Sequence, residues 1–178
     1  MCIRDSSQGA QAVNRQVASW LRDHCDFRSD LEVVHQVGAK NEKEWSDFYG
    51  GSVGGNLRVL PYLHDMPERL RWADICICRA GIGTVVELAM TQTPAIFVPL
   101  PSAGDNHQQK NAEVLVERDG SWMMLQDQMS PKSLNEFFKN IFENPVERKQ
   151  RSQNLNTIDF SHSAEDILKS LLGDKLCN

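Results

Sequence analysis

The sequence has no long hydrophobic run and no excess of basic residues. Its 178 residues include 19 Lys and Arg against 24 Asp and Glu, which gives a formal net charge of −5. This acidic balance argues against a nucleic-acid-binding protein, because such proteins usually carry a basic excess or stripe. The apolar runs are far shorter than the roughly 20 residues of a membrane-spanning helix. With 40% hydrophobic residues, the chain has the composition of one globular domain with a sizeable core.

Cysteine is too irregularly spaced for a disulfide framework or a zinc site. The chain has five cysteines, an odd number. Cys76 and Cys78 alternate inside an apolar stretch, where thiols behave as small hydrophobic groups. No second pair stands nearby to complete four metal ligands. The first residues also lack the apolar centre of a secretory signal. We therefore expect a protein of a reducing compartment that holds no metal and no cofactor.

Apolar periodicity alternates along the chain between the helical and the strand period. The continuous apolar stretches at 74–78 and 95–98 are typical of strands that are covered on both faces. The alternation predicts an α/β fold, a Rossmann-like doubly wound parallel sheet with helices on both faces. Strands are predicted at 31–36, 57–60, 74–78, 95–98 and 121–125, and helices at 8–21, 41–49, 66–72, 107–118, 131–142, after Pro145 and at 163–172.

The beginning of the chain departs from this pattern. A doubly wound domain should open on a strand, yet the sequence reaches the helix at residue 8 almost at once. Residues 1–6 carry no strand signal, so we expect them to be a non-native N-terminal scar and the first strand to be missing. The predicted domain then spans residues 7–173, and residues 174–178 form a frayed tail.

The clearest functional signal is the turn Ala80-Gly81-Ile82-Gly83-Thr84, which joins an apolar strand to a helix. In open α/β sheets, ligands bind beyond the carboxyl ends of the strands, where helix N-termini converge. The unpaired N–H groups there favour an anion such as a diphosphate. The glycines let the backbone approach a phosphate, and Thr84 adds a hydroxyl. A tight turn without a ligand is the alternative interpretation.

Glu87 lies one turn inside that helix and is the only charged residue between Arg79 and Asp105. No Lys or Arg stands three or four residues away, which excludes an ion pair within the helix. Beside a bound nucleotide, the carboxylate would accept hydrogen bonds from both hydroxyls of a ribose. The alternative is an exposed glutamate that complements the helix dipole.

Three other places carry polar or flat groups suited to a nucleotide sugar. Gln108 and Gln109 offer paired donors and acceptors for sugar hydroxyls. Ser7 stands at a helix mouth that would hold the second side of a diphosphate. The stretch from Tyr62 to Met66 follows a strand and would clamp a flat base. Each place also has an ordinary explanation, as a helix cap or as a loop packed on the core.

A helix near the end of the chain has a strongly apolar face with basic residues around it. Such a pattern can indicate binding to a membrane surface, but packing in the core explains it better. The apolar face consists of Phe137, Phe138, Ile141 and Phe142, and the basic residues are Lys139, Arg148, Lys149 and Arg151.

Together these segments resemble the C-terminal domain of the MurG family, the N-acetylglucosaminyltransferases of bacterial peptidoglycan synthesis. The resemblance extends from Ser7 to about Leu172, and its specific part is the block at 73–112. The matching pieces are residues 7–10 with Asn14, His35-Gln36-Val37-Gly38, 66–74, 78–87, 94–99, His107-Gln108 and Asn111-Ala112.

The resemblance implies one half of a GT-B glycosyltransferase, the half that binds UDP-N-acetylglucosamine. It implies that Leu63, flanked by Tyr62 and Met66, sits against uracil. It also implies that Gln108 and Gln109 meet the N-acetylglucosamine. The residues that it places along the diphosphate and ribose are Ser7, Ile82, Gly83, Thr84, Val85, Val86 and Glu87.

For the whole enzyme, the resemblance implies transfer of N-acetylglucosamine to lipid I with inversion at the anomeric carbon, which gives lipid II. It also implies a peripheral enzyme on the cytoplasmic face of the bacterial inner membrane. The acceptor loops, the catalytic base and the membrane-docking patch belong to an N-terminal domain that we expect to be missing here. We therefore expect no catalytic residue in this chain. Another GT-B transferase with a different nucleotide sugar, or a non-catalytic nucleotide-binding module, are the alternatives.

Overall fold

The computed structural model describes residues 1–4, 11–24, 31–50, 56–101 and 106–158. Within these ranges, six parallel strands form one sheet in the order β3-β2-β1-β4-β5-β6. This is the strand order of doubly wound nucleotide-binding domains, with a topological switch point between β1 and β4. The predicted Rossmann-like α/β fold is confirmed. The strands are β1 (Cys2–Arg4), β2 (Val33–Gln36), β3 (Leu57–Leu60), β4 (Cys76–Cys78), β5 (Ala95–Phe97) and β6 (Trp122–Met123).

Helices connect these strands at the predicted places. A π-helical turn, Trp20–His24, continues the first helix. The predicted helix at 163–172 and the tail at 174–178 lie outside the described residues. No helix of the described ranges is long and apolar enough to cross a membrane. The helices are α1 (Gln11–Ser19), α2 (Glu42–Tyr49), α3 (Met66–Trp72), α4 (Ile82–Thr91), α5 (His107–Val116), α6 (Pro131–Glu143) and α7 (Pro145–Leu155).

The expectation that the first strand is missing is wrong. The segment Cys2–Arg4 is a central strand, and its Ile3 stands in register between His35 of β2 and Ile77 of β4. The first three residues are all almost completely buried. Three residues are too few to show a strand period, so tertiary pairing rather than local sequence makes this segment a strand. The foreign origin of residues 1–6 stays a prediction.

Both faces of the sheet are covered by helices, which explains the continuous apolar strands. On one face, Trp45 of α2 and Phe138 of α6 belong to the same buried cluster as Trp20. On the other face, Leu88 of α4 and Leu115 of α5 pack in a second cluster. Trp20 and Phe138 stack with ring centroids 4.4 Å apart. The assignment of the apolar α6 face to the core is therefore confirmed.

The second cluster also contains the thiols of β4. Cys76 and Cys78 are at most 1% exposed and form no disulfide. They fill space on the α4 face of the sheet as small apolar side chains, which confirms how these two cysteines were interpreted.

A buried polar chain links α1, β2 and α2 on the first face. The His35 ring lies 2.8 Å from the Tyr49 hydroxyl through Nδ1 and 3.1 Å from Asn14 Oδ1 through Nε2. Burial lowers the pKa of His35 to about 3. The imidazole is therefore neutral at physiological pH, and its role is to hold these three elements together.

Helix α6 begins with the predicted Ser130-Pro131 cap. Ser130 Oγ accepts a hydrogen bond from the Ser133 backbone N–H at 3.1 Å, and the Ser130 N–H donates to Ser133 Oγ at 2.9 Å. We expect Ser130→Ala to lower the free energy of unfolding by about 1 kcal/mol, because helix amides lose their acceptor. Urea unfolding measures this loss. Ser46→Ala, on the exposed side of α2, is the control. Equal effects of the two substitutions would contradict the capping role.

Candidate functional site

The candidate site lies at the switch point of the sheet, where β1 and β4 end. Gly81 precedes α4 in an extended conformation (φ −65°, ψ 144°) and makes no side-chain cap, so Ile82 begins the helix without a capping side chain. The amides of a first helical turn have no partner within the helix and attract anions. Apart from its chain neighbours and the helix backbone, a Cβ atom added to Gly83 would meet no atom of the described residues within 4 Å. The first turn of α4 is therefore open to a ligand.

The predicted diphosphate residues of α4 divide into an inner and an outer set. Thr84 and Val85 are 7% and 0% exposed and pack towards the core. Gly83 is exposed, and Ile82 and Val86 are half-buried. The open groups of this turn are consequently backbone amides more than side chains, since the Thr84 hydroxyl lies mostly beneath the surface.

Glu87 forms an ion pair that the sequence did not predict. Arg4, the last residue of β1, donates from Nη1 to Glu87 Oε2. The two partners are 83 positions apart, and the side chains of Arg4 and Glu87 are 17% and 45% exposed. The neighbours within α4 correctly excluded an ion pair inside the helix. They carried no information about a cation on the adjoining strand.

Three polar side chains hold the loops around the site. Arg79, 6% exposed, donates from Nη1 to the carbonyl oxygens of Val98 and Pro99 at 2.9 and 3.1 Å. Its Nη2 donates to Gln126 Oε1 at 2.6 Å. Asn111 of α5 donates to the Ala80 carbonyl at 3.0 Å.

These bonds tie the glycine turn to the carboxyl end of β5 and to the segment after β6. The sequence predicted no role for Arg79 or Gln126, and Asn111 belonged only to the resemblance. The available signal was Arg79 itself, a cation directly after an apolar strand, because buried cations in proteins require partners.

Gln108 and Gln109 lie at the start of α5, where they were expected. Gln108 Oε1 accepts the Leu100 backbone N–H at 3.0 Å, which fixes the loop after β5. Gln109 Nε2 donates to Glu113 Oε1 at 3.1 Å. Gln109 also lines a cavity of about 350 Å³ together with Pro99, Leu100, Pro101, Asn106, Leu125, Gln126 and Asp127.

The loop after β3 presents an exposed aromatic ring rather than Leu63. Tyr62 is 61% exposed and makes an edge contact with His64 at a centroid distance of 4.9 Å. The Leu63 side chain is 3% exposed and packs in the core cluster under α3 and α4. Met66 is half-buried at the start of α3. Tyr62 and His64 are therefore exposed at this loop, and Met66 is partly accessible.

The predicted residues after β3, β4 and β5 thus lie at one edge of the sheet, because all strands are parallel. Ser7 lies outside the described residues. A larger cavity of about 590 Å³ lies at the opposite edge, before β4 and β5, and includes Asp74 and Pro94 in its lining. None of the predicted site residues within the described ranges lines it.

Comparison with known proteins places this architecture in a family. Residues 6–171 match the glycosyltransferase family 28 C-terminal domain. A UDP-N-acetylglucosamine--N-acetylmuramyl-(pentapeptide) pyrophosphoryl-undecaprenol N-acetylglucosamine transferase from Francisella philomiragia is 34% identical over 96% of this chain and 46% of its own length. The enzyme of the same name from Colwellia psychrerythraea is 38% identical over 78% of this chain and 36% of its own length.

Comparison with solved structures supports the same family. MurG from Acinetobacter baumannii has a TM-score of 0.74 and 31% identity, over 88% of this chain and 44% of that one. The glycotransferase of kitacinnamycin has a TM-score of 0.65 at 17% identity, over 99% of this chain and 40% of that one, which shows a shared fold alone. The chain spans less than half the length of these relatives. The chain belongs to the glycosyltransferase family 28 C-terminal domain family, and MurG enzymes are among its relatives.

Proposed function

We propose that this chain is the half of an inverting glycosyltransferase that binds UDP-N-acetylglucosamine. The observation that carries the proposal is the open first turn of α4 at the switch point, with the Glu87 carboxylate one turn further along the same helix. An anion-binding helix start beside an acceptor for sugar hydroxyls fits a diphosphate joined to a ribose. The names of the relatives, which are N-acetylglucosamine transferases, support the same donor.

Within this proposal, each part of the donor has its own residues. The first turn of α4, from Ile82 to Val86, holds the diphosphate, and Ser7 is assigned to the same group. Glu87 binds the ribose hydroxyls. Tyr62 and Met66 flank the uracil beside Leu63. Gln108 and Gln109 meet the N-acetylglucosamine, and the cavity beside Gln109 gives that sugar room.

The Arg4 ion pair is the observation that opposes the ribose role, since a carboxylate held by a guanidinium is not free for hydroxyls. Two facts favour an exchange of partners. Glu87 remains 45% exposed, and the hydrogen bond from Arg4 goes to its Oε2 atom. A diphosphate at the adjoining helix start is also a better partner for a guanidinium, because it carries more charge and accepts bidentate bonds.

The proposed reaction transfers the sugar to lipid I and gives lipid II for peptidoglycan synthesis. The C4 hydroxyl of the muramoyl acceptor forms the new bond to the anomeric carbon while the bond to UDP breaks, which inverts that centre. The amides of α4 stabilise the negative charge that the departing UDP gains. We assign no catalytic base to this chain. We place the acceptor, the base and the contact with the cytoplasmic face of the inner membrane in a partner domain.

Calorimetric titration of the chain with UDP- and TDP-linked sugars tests this function. We expect UDP-N-acetylglucosamine to bind most tightly, and we expect the chain to show no transfer to lipid I. Tighter binding of a TDP sugar would favour another GT-B transferase. Binding of none of them would favour a module without a nucleotide-sugar function, and turnover would show that the catalytic base lies within this chain.

A further inference from the structure

Gln36, the last residue of β2, has a buried polar atom with no hydrogen-bond partner among the described residues. The residue is 5% exposed, and its Oε1 atom makes no hydrogen bond within the described part of the chain. Buried side-chain oxygens of folded proteins nearly always accept a hydrogen bond, because nothing else compensates for the loss of their hydration. An orphaned acceptor at the edge of a binding site is therefore evidence for a donor that a ligand supplies.

The sheet places Gln36 at the candidate site. It stands in register with Arg4 on one side and with Leu60 on the other. Register neighbours in a sheet share a face, and Arg4 reaches Glu87 from that face. Val34, two residues earlier on the same face, belongs to the same cluster as Leu63. Gln36 consequently lies at the carboxyl edge between the Glu87 side and the loop after β3.

We propose that Gln36 reads the base of the bound nucleotide. This inference rests on the proposed function, in which the ribose lies at Glu87 and the base lies against Tyr62 and Met66. A base between those two places stands over the carboxyl end of β2. Uracil presents an N3–H donor flanked by two carbonyl acceptors, and a carboxamide matches this edge: Oε1 accepts from N3–H while the amide N–H donates to a carbonyl. Because Oε1 is enclosed in this structure, base reading requires the side chain to rotate so that this oxygen reaches the rim.

The test separates the base from the rest of the ligand. The affinities of the chain for UDP and for ribose 5-diphosphate, which has no base, are measured by calorimetry for the unsubstituted chain and for Gln36→Leu. We expect the substitution to weaken UDP binding by about five- to tenfold and to leave ribose 5-diphosphate binding unchanged, since a hydrogen bond is worth about a factor of ten. Gln36→Asn, which keeps a shorter carboxamide, should recover part of the loss.

Gln128→Leu, at an exposed position before α6, is the matched control and should change neither affinity. An equal loss for both ligands would assign Gln36 a structural role, and an unchanged preference for UDP would overturn base reading directly. In both cases UDP still binds the unsubstituted chain, so the proposed function stands. Failure of the unsubstituted chain to bind UDP at all would instead refute the proposed function. Thermal unfolding of each variant confirms that it is folded.

Discussion

Glu87→Ala is expected to weaken the binding of UDP-N-acetylglucosamine by about tenfold to a hundredfold. A hydrogen bond to a charged group contributes about 1.5–3 kcal/mol, and each 1.4 kcal/mol is a factor of ten in affinity. The carboxylate would accept from two ribose hydroxyls, so the loss of one full bond is the lower bound. Calorimetric titration of the chain measures the change. Glu143→Ala, at the exposed end of α6, removes a carboxylate away from the site and should have no effect.

The proposed contact between Glu87 and the ribose also predicts a ligand preference, which is a more specific result than a loss of affinity. The unsubstituted chain should prefer UDP over 2′-deoxy-UDP, and Glu87→Ala should abolish that preference, because the acceptor for the 2′-hydroxyl is gone. Arg4→Ala should keep the preference, since it frees the carboxylate from its ion pair. If Glu87 served only to pair with Arg4, both substitutions would leave the preference for the 2′-hydroxyl unaltered. That result would remove Glu87 from the proposed site.

Local sequence predicted most elements because their signals are local. Helix α3 has the predicted bounds, with Pro67 in its first turn, where the missing N–H costs nothing. The predicted strand at 121–125 shrinks to Trp122–Met123, because among the described residues it pairs only with Ile96 and Phe97 of β5. The extent of an edge strand depends on its neighbour, which a single stretch of sequence does not contain.

The wrong prediction at the start of the chain has the same physical origin, since this strand also depends on residues that are distant in the sequence. The strand β1 is held by β2 and β4, whose residues are more than 30 and more than 70 positions away. Because no strand was predicted there, Arg4 was not predicted to be the cation that pairs with Glu87. The position of Glu87 on a helix was readable from spacing, whereas its partner was set by strand order.

The polar side chains around the site illustrate a second limit of prediction from sequence. Spacing placed Gln108 at a helix mouth facing sugar hydroxyls, but its oxygen bonds the Leu100 backbone. Arg79 likewise bonds backbone carbonyls of the loop after β5. The buried Arg79 thus positions a binding loop from beneath. A sequence shows their chemical type but not whether a backbone or a ligand receives their bonds.

Trp20→Ala should cost about 3–5 kcal/mol of unfolding free energy, the range for removing a large aromatic side chain from a core. Trp20 is completely buried and stacks on Phe138 with ring planes 11° apart. Its indole N–H donates to Asn135 Oδ1 at 3.2 Å. The ring thereby joins the π-helical turn after α1 to α6, and its loss leaves a cavity between two helices. A domain with a total stability of about 5–15 kcal/mol would lose a large part of it.

Urea unfolding gives the free energy and its dependence on denaturant. Trp72→Ala is the matched control, because Trp72 is 39% exposed and its removal opens no comparable cavity. Trp20→Phe keeps an aromatic ring against Phe138 but loses the bond to Asn135, so its cost should fall between those of the other two. Similar losses for Trp20→Ala and Trp72→Ala would contradict the packing of the π-helical turn against α6. A large loss of unfolding free energy for Trp20→Ala alone would show that the stack of Trp20 on Phe138 stabilises this face of the sheet.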